Sequence, residues 1–338
     1  MQAFWSRKGS LNVLLWPFSW LFGALVRLRH WLYHRRVFFS AHPGVPVIIV
    51  GNLAAGGSGK TPFVIWLAQW LRQQGYRPGV VSRGYGRNLK TPHVLHSDST
   101  PAQAGDEPLL IFQSAQVPVV VAADRLQACA LLREHYPETN ILIADDGLQH
   151  YRLRRDMELV LADADALFGN GWLLPAGPLR EPVSRLAMAD ALVLSQRGGT
   201  SALPLLPMSP VPVFTVCHHP GHFYNLQHPA HTVAADYFSA KVVEAVTGIA
   251  QPQVFFEALR ADGIKISARA FPDHHPFAEG EINPGATVVM TEKDAVKCRY
   301  LAGADWWVRT LTMTPDAALE TWLVAKLAQW PKESKTHG

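Results

Sequence analysis

The stretch best suited to chemistry is Gly51-Asn52-Leu53-Ala54-Ala55-Gly56-Gly57-Ser58-Gly59-Lys60-Thr61. Glycines at 56, 57 and 59 free a loop to turn its amide N–H groups inward. There, with the N-terminus of a following helix, they can hold phosphate oxygens. Lys60 would reach the β- and γ-phosphates, and Thr61 would offer its hydroxyl to Mg²⁺. The usual first glycine of G-x-x-x-x-G-K-[ST] falls here at Ala54, so the turn must rest on the later glycines. Nucleotide contacts are expected from Ala54, Ala55, Gly56, Gly57, Ser58, Gly59, Lys60 and Thr61, with ATP and Mg²⁺ as the ligands.

Three further groups of residues could work with such a loop. Ile141-Leu142-Ile143-Ala144-Asp145-Asp146 is an apolar run ending in acids, the form of a strand that presents a carboxylate to Mg²⁺ directly or through water. Gly105-Asp106-Glu107-Pro108 sets two carboxylates side by side; by itself it reads as a helix N-terminus. Pro272-Asp273-His274-His275-Pro276 brings imidazoles beside a carboxylate, a pairing that can tune a general base.

These residues need elements to position them. Residues 45–50 form a β-branched run, and residues 61–74 carry Phe63, Val64, Trp66, Leu67, Trp70 and Leu71 at helical spacing. The loop therefore sits between a strand and a helix. Further strands are predicted at 79–82, 117–122, 140–144, 158–162 and 191–195, with a helix over 125–135. Continuous apolar strands alternating with helices predict a mostly parallel sheet covered on both faces. Prolines at 204, 207, 210, 212, 220 and 229 mark a linker or strand-ribbon zone. Beyond it come a strand at 241–247, a helix at 252–260, a strand at 287–290 and a last helix over 315–330.

The fold class expected is α/β: a P-loop, mostly parallel sheet domain, a second and smaller α/β domain, and an N-terminal membrane-associating helix. The divisions fall at 1–40 for the arm, 41–215 for the core and 216–338 for the smaller domain, whose last helix is free to return to the core.

The chain has 338 residues, 48% of them hydrophobic and 17% charged, which excludes a disordered protein and suits two cores. A formal charge of +4 permits acidic partners without requiring them. Cys129, Cys217 and Cys298 show neither metal-ligand nor disulfide spacing and fit a reducing compartment. Residues 11–26 carry no charge, with Arg7 and Lys8 before them and Arg27, Arg29, Arg35 and Arg36 after. That run is shorter than the ~20 residues of a spanning helix, and Pro17 and Gly23 interrupt it. RLRHWLYHRR follows where a signal peptide would have a cleavage site. Trp5, Trp16, Trp20, Trp31 and Tyr33 suit a membrane interface. The arm is expected to lie in, or dip into, one leaflet with its basic residues on anionic headgroups.

Taken in order, VGNLAAGGSGKTP, SRGYGR, GDEP, ADR, DDGLQH, PAGPLREP, TGIAQP, FPDHH and MTEKDAVK make a highly specific set. Over about residues 11–310 the chain resembles the tetraacyldisaccharide 4′-kinases, the lipid A 4′-kinases of Gram-negative bacteria. Ala54 fits that family's own loop. The resemblance implies a two-domain kinase on the cytoplasmic face of the bacterial inner membrane, held peripherally or by a single N-terminal anchor. It implies phosphorylation by ATP of the 4′-hydroxyl of a tetraacylated glucosamine disaccharide 1-phosphate, to give lipid IVA. It implies Asp106 as catalytic base with His274 as its partner, and Lys60 and Arg125 as catalytic cations. Thr61, Glu107 and Asp145 would bear on the metal, and Asp146, Gln149, Arg180, Glu181 and Tyr85 would meet the substrate. The partners expected are the lipid A precursor and the membrane surface, with no nucleic acid and no obligate protein partner.

In such a mechanism the sugar hydroxyl must be aligned with the γ-phosphorus while Lys60, Arg125, Mg²⁺ and loop amides stabilise charge. The competing class is a membrane-tethered P-loop ATPase or GTPase switch without a sugar acceptor. A GTPase would want N/T-K-x-D, and Thr291-Glu292-Lys293-Asp294 lacks the Asn. A scaffold with a vestigial loop is a third reading, opposed by the intact Gly59-Lys60-Thr61 and Asp145.

Overall fold

β1 (Val47–Gly51) shows why the centre of the molecule is a buried parallel sheet. Ile48 and Val50 point to a core shared with Phe63, Val64 and Leu67. Val47 and Ile49 point to the opposite core, with Ala128, Cys129 and Leu132. Alternate residues of one strand thus fill both faces, the reason its sequence is apolar throughout.

The computed structural model describes Trp5, residues 8–197 and residues 209–330. Arg7, Pro204 and Pro207 lie outside the described residues. In chain order the elements are α1 (Ser10–His34), β1, α2 (Lys60–Gln73), β2 (Pro78–Ser82), β3 (His93–Val94), α3 (Pro101–Ala104), α4 (Asp106–Ala115), β4 (Val119–Val121), α5 (Arg125–His135), β5 (Ile141–Asp145) and β6 (Met157–Asp163). They continue with β7 (Ala191–Arg197), β8 (Val213–Asn225), β9 (Thr232–Val233), β10 (Val242–Thr247), α6 (Pro252–Ala261), β11 (Lys265–Ala270), β12 (Val288–Thr291), α7 (Glu292–Cys298), β13 (Trp306–Pro315) and α8 (Ala317–Leu327).

The strands form one sheet in the order β11-β10-β12-β13-β8-β7-β6-β1-β5-β2-β4-β3, with β9 on β8. From β8 to β4 the neighbours are parallel, as they are from β11 to β13. The two sets meet at the antiparallel pair β8 and β13. β8 occupies the proline-rich zone and runs for 13 residues. Residues 213–218 of β8 pair with β7, and residues 216–225 pair with β13, so one strand carries the sheet from one lobe to the other. A register shift between Arg309 and Leu311 bends that ribbon. The expected division at 215 and 216 falls inside β8. Leu319, Leu323 and Leu327 of α8 return to the first core, and Tyr76 Oη donates to the Leu327 carbonyl (2.9 Å).

α1 is longer than the uncharged run, 25 residues, continuing through Pro17, Gly23 and the basic segment. Pro17 forfeits one helical bond on the exposed side. Asn12, Ser19 and Gly23 are the buried residues, facing the loop that precedes Leu179. Asn12 Nδ2 donates to the Ala176 carbonyl (2.9 Å), and Ser19 Oγ donates to the Leu173 carbonyl (2.8 Å). A Cβ on Gly23 would stand 2.7 Å from Leu173. Leu11, Leu14, Phe18, Trp20, Leu21 and Leu25 face outward. The helix therefore buries small and polar residues against the protein and leaves most of its large apolar residues exposed, the reverse of an ordinary surface helix.

Candidate active site

The loop at residues 52–59 leaves β1 and enters α2 through Gly59, whose φ is +74°. A Cβ there would sit 2.6 Å from Ser195 Oγ and 2.9 Å from His218 Nε2, so only glycine fits that turn. Asn52 braces the loop from inside, its Nδ2 donating to Ser58 Oγ (3.2 Å). The PAGPLREP segment lies along the outer edge. The Ala55 N–H donates to the Pro178 carbonyl (2.8 Å), and the Arg180 N–H donates to the Leu53 carbonyl (2.7 Å). Ala54 and Leu179 form an isolated bridge. The N–H of Ala55 is thus already used within the protein. Thr61 is the second residue of α2.

Lys60 projects toward Asp146, with Nζ 3.5 Å from Oδ1. Arg180 reaches the same carboxylate from the other side, at 3.1 Å. Burial would raise the Asp146 carboxyl, but Lys60 and Arg180 outweigh it and hold it below the ordinary range. Asp146 has φ +47°, a turn that separates it from its neighbour. Asp145, at the end of β5, is almost fully buried. Its Oδ2 accepts from Ser82 Oγ (2.9 Å), while its Oδ1 has no hydrogen-bond partner. Burial, then the charges of Glu107 and Asp146, push this carboxyl up to about 6.

Arg125 is buried behind these acids rather than open to the loop. It donates to the carbonyls of Ala122 (3.2 Å), Asp145 (3.3 Å) and Asp146 (3.5 Å). Its field acts on the acidic turn from the start of α5. Gln149 Nε2 donates to the Asn52 carbonyl and to Glu181 Oε2, both at 3.1 Å. Glu181 also accepts from Tyr151 Oη. Burial and that carboxylate push the Tyr151 phenol up. Arg29 of α1 donates to the Gln149 carbonyl (3.1 Å), joining the arm to this corner.

Asp106 opens α4, where the helix dipole favours a carboxylate. Gly105, with φ +87°, lets it pass the SRGYGR loop; a Cβ there would meet the Tyr85 carbonyl at 2.7 Å. His274 comes from the other lobe, and its Nδ1 lies 3.1 Å from Asp106 Oδ2. His275 instead pairs with Glu281 (2.9 Å). The ring of Tyr85 meets that of His274 edge-on at 5.5 Å. His274 has φ +62°, a costly backbone for a non-glycine residue, held by its N–H on the Gly248 carbonyl (3.1 Å). Gly248 is held in turn by Asp294, which is fully buried. Its carboxylate accepts from the Gly248 N–H (3.1 Å) and from the hydroxyls of Thr247 and Thr291 (both 2.7 Å). TGIAQP, FPDHH and MTEKDAVK are therefore three parts of one brace.

Lys293 sits in the same place. Its Nζ lies 3.2 Å from Glu107 Oε1, 3.4 Å from Asp273 Oδ1 and 3.3 Å from His274 Nε2. Burial would lower this ammonium, but Glu107 and Asp273 outweigh it and hold its pKa above the ordinary value. The motifs contained Lys293 and Ser82 without a role for either, and Tyr151, just past DDGLQH, lay outside them. What each of them touches was not visible.

The site thus joins a phosphate-binding loop, an acidic turn and an Asp–His pair. A family model for tetraacyldisaccharide-1-P 4′-kinase matches residues 11–328. The chain belongs to this family. Among curated relatives, the tetraacyldisaccharide 4′-kinase of Thiobacillus denitrificans is 46% identical, over 97% of this chain and 98% of its own length. That of Methylobacillus flagellatus is 44% identical, over 97% and 96%. A crystal structure of LpxK from Aquifex aeolicus, described as an "apo" form in complex with ATP, has a TM-score of 0.82 at 30% identity. It covers 94% of this chain and 99% of that one. The family's α/β architecture extends over both lobes here, and the chain is a kinase of that family.

Proposed function

We propose that this chain transfers the γ-phosphoryl group of ATP to the 4′-hydroxyl of a tetraacylated glucosamine disaccharide 1-phosphate, giving lipid IVA. The observation that carries this reading is the Asp106–His274 contact beside the loop of Lys60. Asp106 accepts the hydroxyl proton as the O–P bond forms, and His274 orients the carboxylate. Lys60 and the loop amides hold the phosphates and offset charge on the transferring group. In this reading Arg180, Asp146, Gln149, Glu181 and Tyr85 meet the sugar. Arg125 supports the acidic turn from behind.

Mg²⁺ fits the residues present. Asp145 Oδ1 is buried without a partner beside two further acids. Among the described residues no three His, Cys, Asp or Glu converge on one point, so Thr61, Asp145 and Glu107 would hold the ion with phosphates and waters completing its shell. When bound, it would neutralise charge on the transferring phosphate.

The substrate's acyl chains stay in the leaflet, so the enzyme must approach them. The outward apolar face of α1, with Arg27, Arg35 and Arg36 near its end, supports seating on the cytoplasmic face of the inner membrane. The helix is long and apolar enough to cross a membrane, by length and composition. This reading calls for no nucleic acid and no obligate protein partner. The deciding experiment is incubation with ATP–Mg²⁺ and a tetraacyl disaccharide 1-phosphate in mixed micelles. A 4′-phosphorylated lipid is expected. ATP consumption with no phosphorylated lipid would overturn the proposal in favour of the switch.

A further inference from the structure

The Asp–His pair leaves one question that geometry can answer: which ring nitrogen of His274 carries the proton. Nδ1 faces Asp106 Oδ2 at 3.1 Å, and Nε2 faces Lys293 Nζ at 3.3 Å. A lysine ammonium has three donors and no acceptor. With Lys293 protonated between Glu107 and Asp273, Nε2 can only accept from it. The single N–H of a neutral imidazole must then lie on Nδ1 and point at Asp106.

We propose that Lys293 is a positioning residue that fixes His274 as the Nδ1–H tautomer, so that the imidazole donates to Asp106 Oδ2 and leaves Oδ1 to take the substrate proton. This deepens the kinase reading and rests on it for the role of Asp106. Lys293 is suited to the task by its place in the fold. It stands on α7 in the second lobe, while Glu107 follows Asp106 on α4 in the first. One ammonium therefore ties the base-bearing helix to the loop that carries the imidazole. Lys297, one turn further along α7, lies 3.9 Å from Asp106 Oδ2 but is held at 2.8 Å by Asp294. Its distance from Asp106 leaves His274 as the closer partner of that oxygen. A flip of the His274 ring would put carbons where its two nitrogens stand and lose both contacts. An imidazole in the other tautomer would present a bare nitrogen to a carboxylate, the arrangement that disables a base–orienter pair.

The test is ¹⁵N NMR of histidine-labelled full-length enzyme in micelles, with the His274 signals assigned by their loss in His274→Gln. Wild type should show the Nδ1–H tautomer. An Nε2–H tautomer in wild type overturns the proposal without any variant. In Lys293→Met the tautomers should mix, and Lys293→Arg should restore the wild-type pattern. Unchanged Nδ1–H signals in Lys293→Met also overturn it. In kinetics, Lys293→Met should lower kcat by roughly tenfold or more, with KM for ATP within about twofold. A tautomer that changes while kcat holds would support the role of Lys293 and overturn Asp106 as the base, so the two readings fail separately.

Discussion

Asp106 and His274 are separated by 168 positions in the chain, yet their side chains meet at 3.1 Å across the junction between the lobes. Neither residue's own lobe supplies the other. The contact exists because β8 carries one sheet through both lobes, and because Asp294 and Gly248 hold the His274 loop at the right height.

That contact makes the sharpest kinetic prediction. Asp106→Ala should cut kcat by roughly 10²–10⁴, the usual worth of a general base. His274→Ala should cost less alone and add little on the Asp106→Ala background, because residues that act as a unit are not additive. A double-mutant cycle in kcat, with folding checked by calorimetry, measures this. Additive losses would show that the two do not act together.

Lys60→Ala should lower kcat by more than about tenfold, or ~1.4 kcal/mol of barrier. Arg180 shares Asp146 with Lys60 but approaches from outside the loop, so it does not replace the lost charge. Single-turnover transfer at saturating ATP checks this; retention of a tenth or more of the wild-type rate contradicts the role.

His218 sets a pH dependence of stability. It is buried against Gly59, with Nε2 2.7 Å from Ser195 Oγ, and burial pushes its pKa from 6.5 down to about 4. The unfolded chain therefore binds the proton more readily between those values, so stability rises with pH through that window and is lost on acidification. The loss over that window is at most about 3 kcal/mol. His150 titrates low as well, so the comparison must be made against a variant. Melting curves of wild type and His218→Gln from pH 7 to pH 4 should converge as pH falls. Parallel curves would rule the effect out.

The outward face of α1 should govern membrane binding without governing the fold. Serines in place of Leu14, Trp20 and Leu21, which are 70%, 67% and 62% exposed, leave the docking residues Asn12, Ser19 and Arg29 untouched. Flotation with anionic vesicles should fall sharply, while ATP affinity and the melting temperature stay near wild type. Equal flotation would remove the case for a membrane-seated arm.

The sequence by itself determined the phosphate loop, the acid-ended strand and most of the parallel sheet. Each of these is written locally, in glycine spacing, in apolar runs and in helical periodicity. α5, for example, spans Arg125–His135, the segment expected to be a helix, and α8 does return to the first core. The set of short motifs, in order, was also enough to indicate the family. Tertiary structure alone decided how those motifs act on one another. That His274 rather than His275 meets Asp106 depends on a left-handed backbone and a buried Asp294, neither of which has a local signature. Arg125 was legible as a cation near the site, but its use on three carbonyls was not, since burial is set by what packs over it. Prolines made their zone read as a linker or a strand ribbon, and β8 is the ribbon; that it joins the lobes was not legible, though proline excludes ladder donors without excluding a long bent strand. Lys293 is the clearest case. A lysine in a motif carries a charge wherever it stands, and only the arrival of Glu107, Asp273 and His274 from two other segments makes that charge a means of orienting a proton.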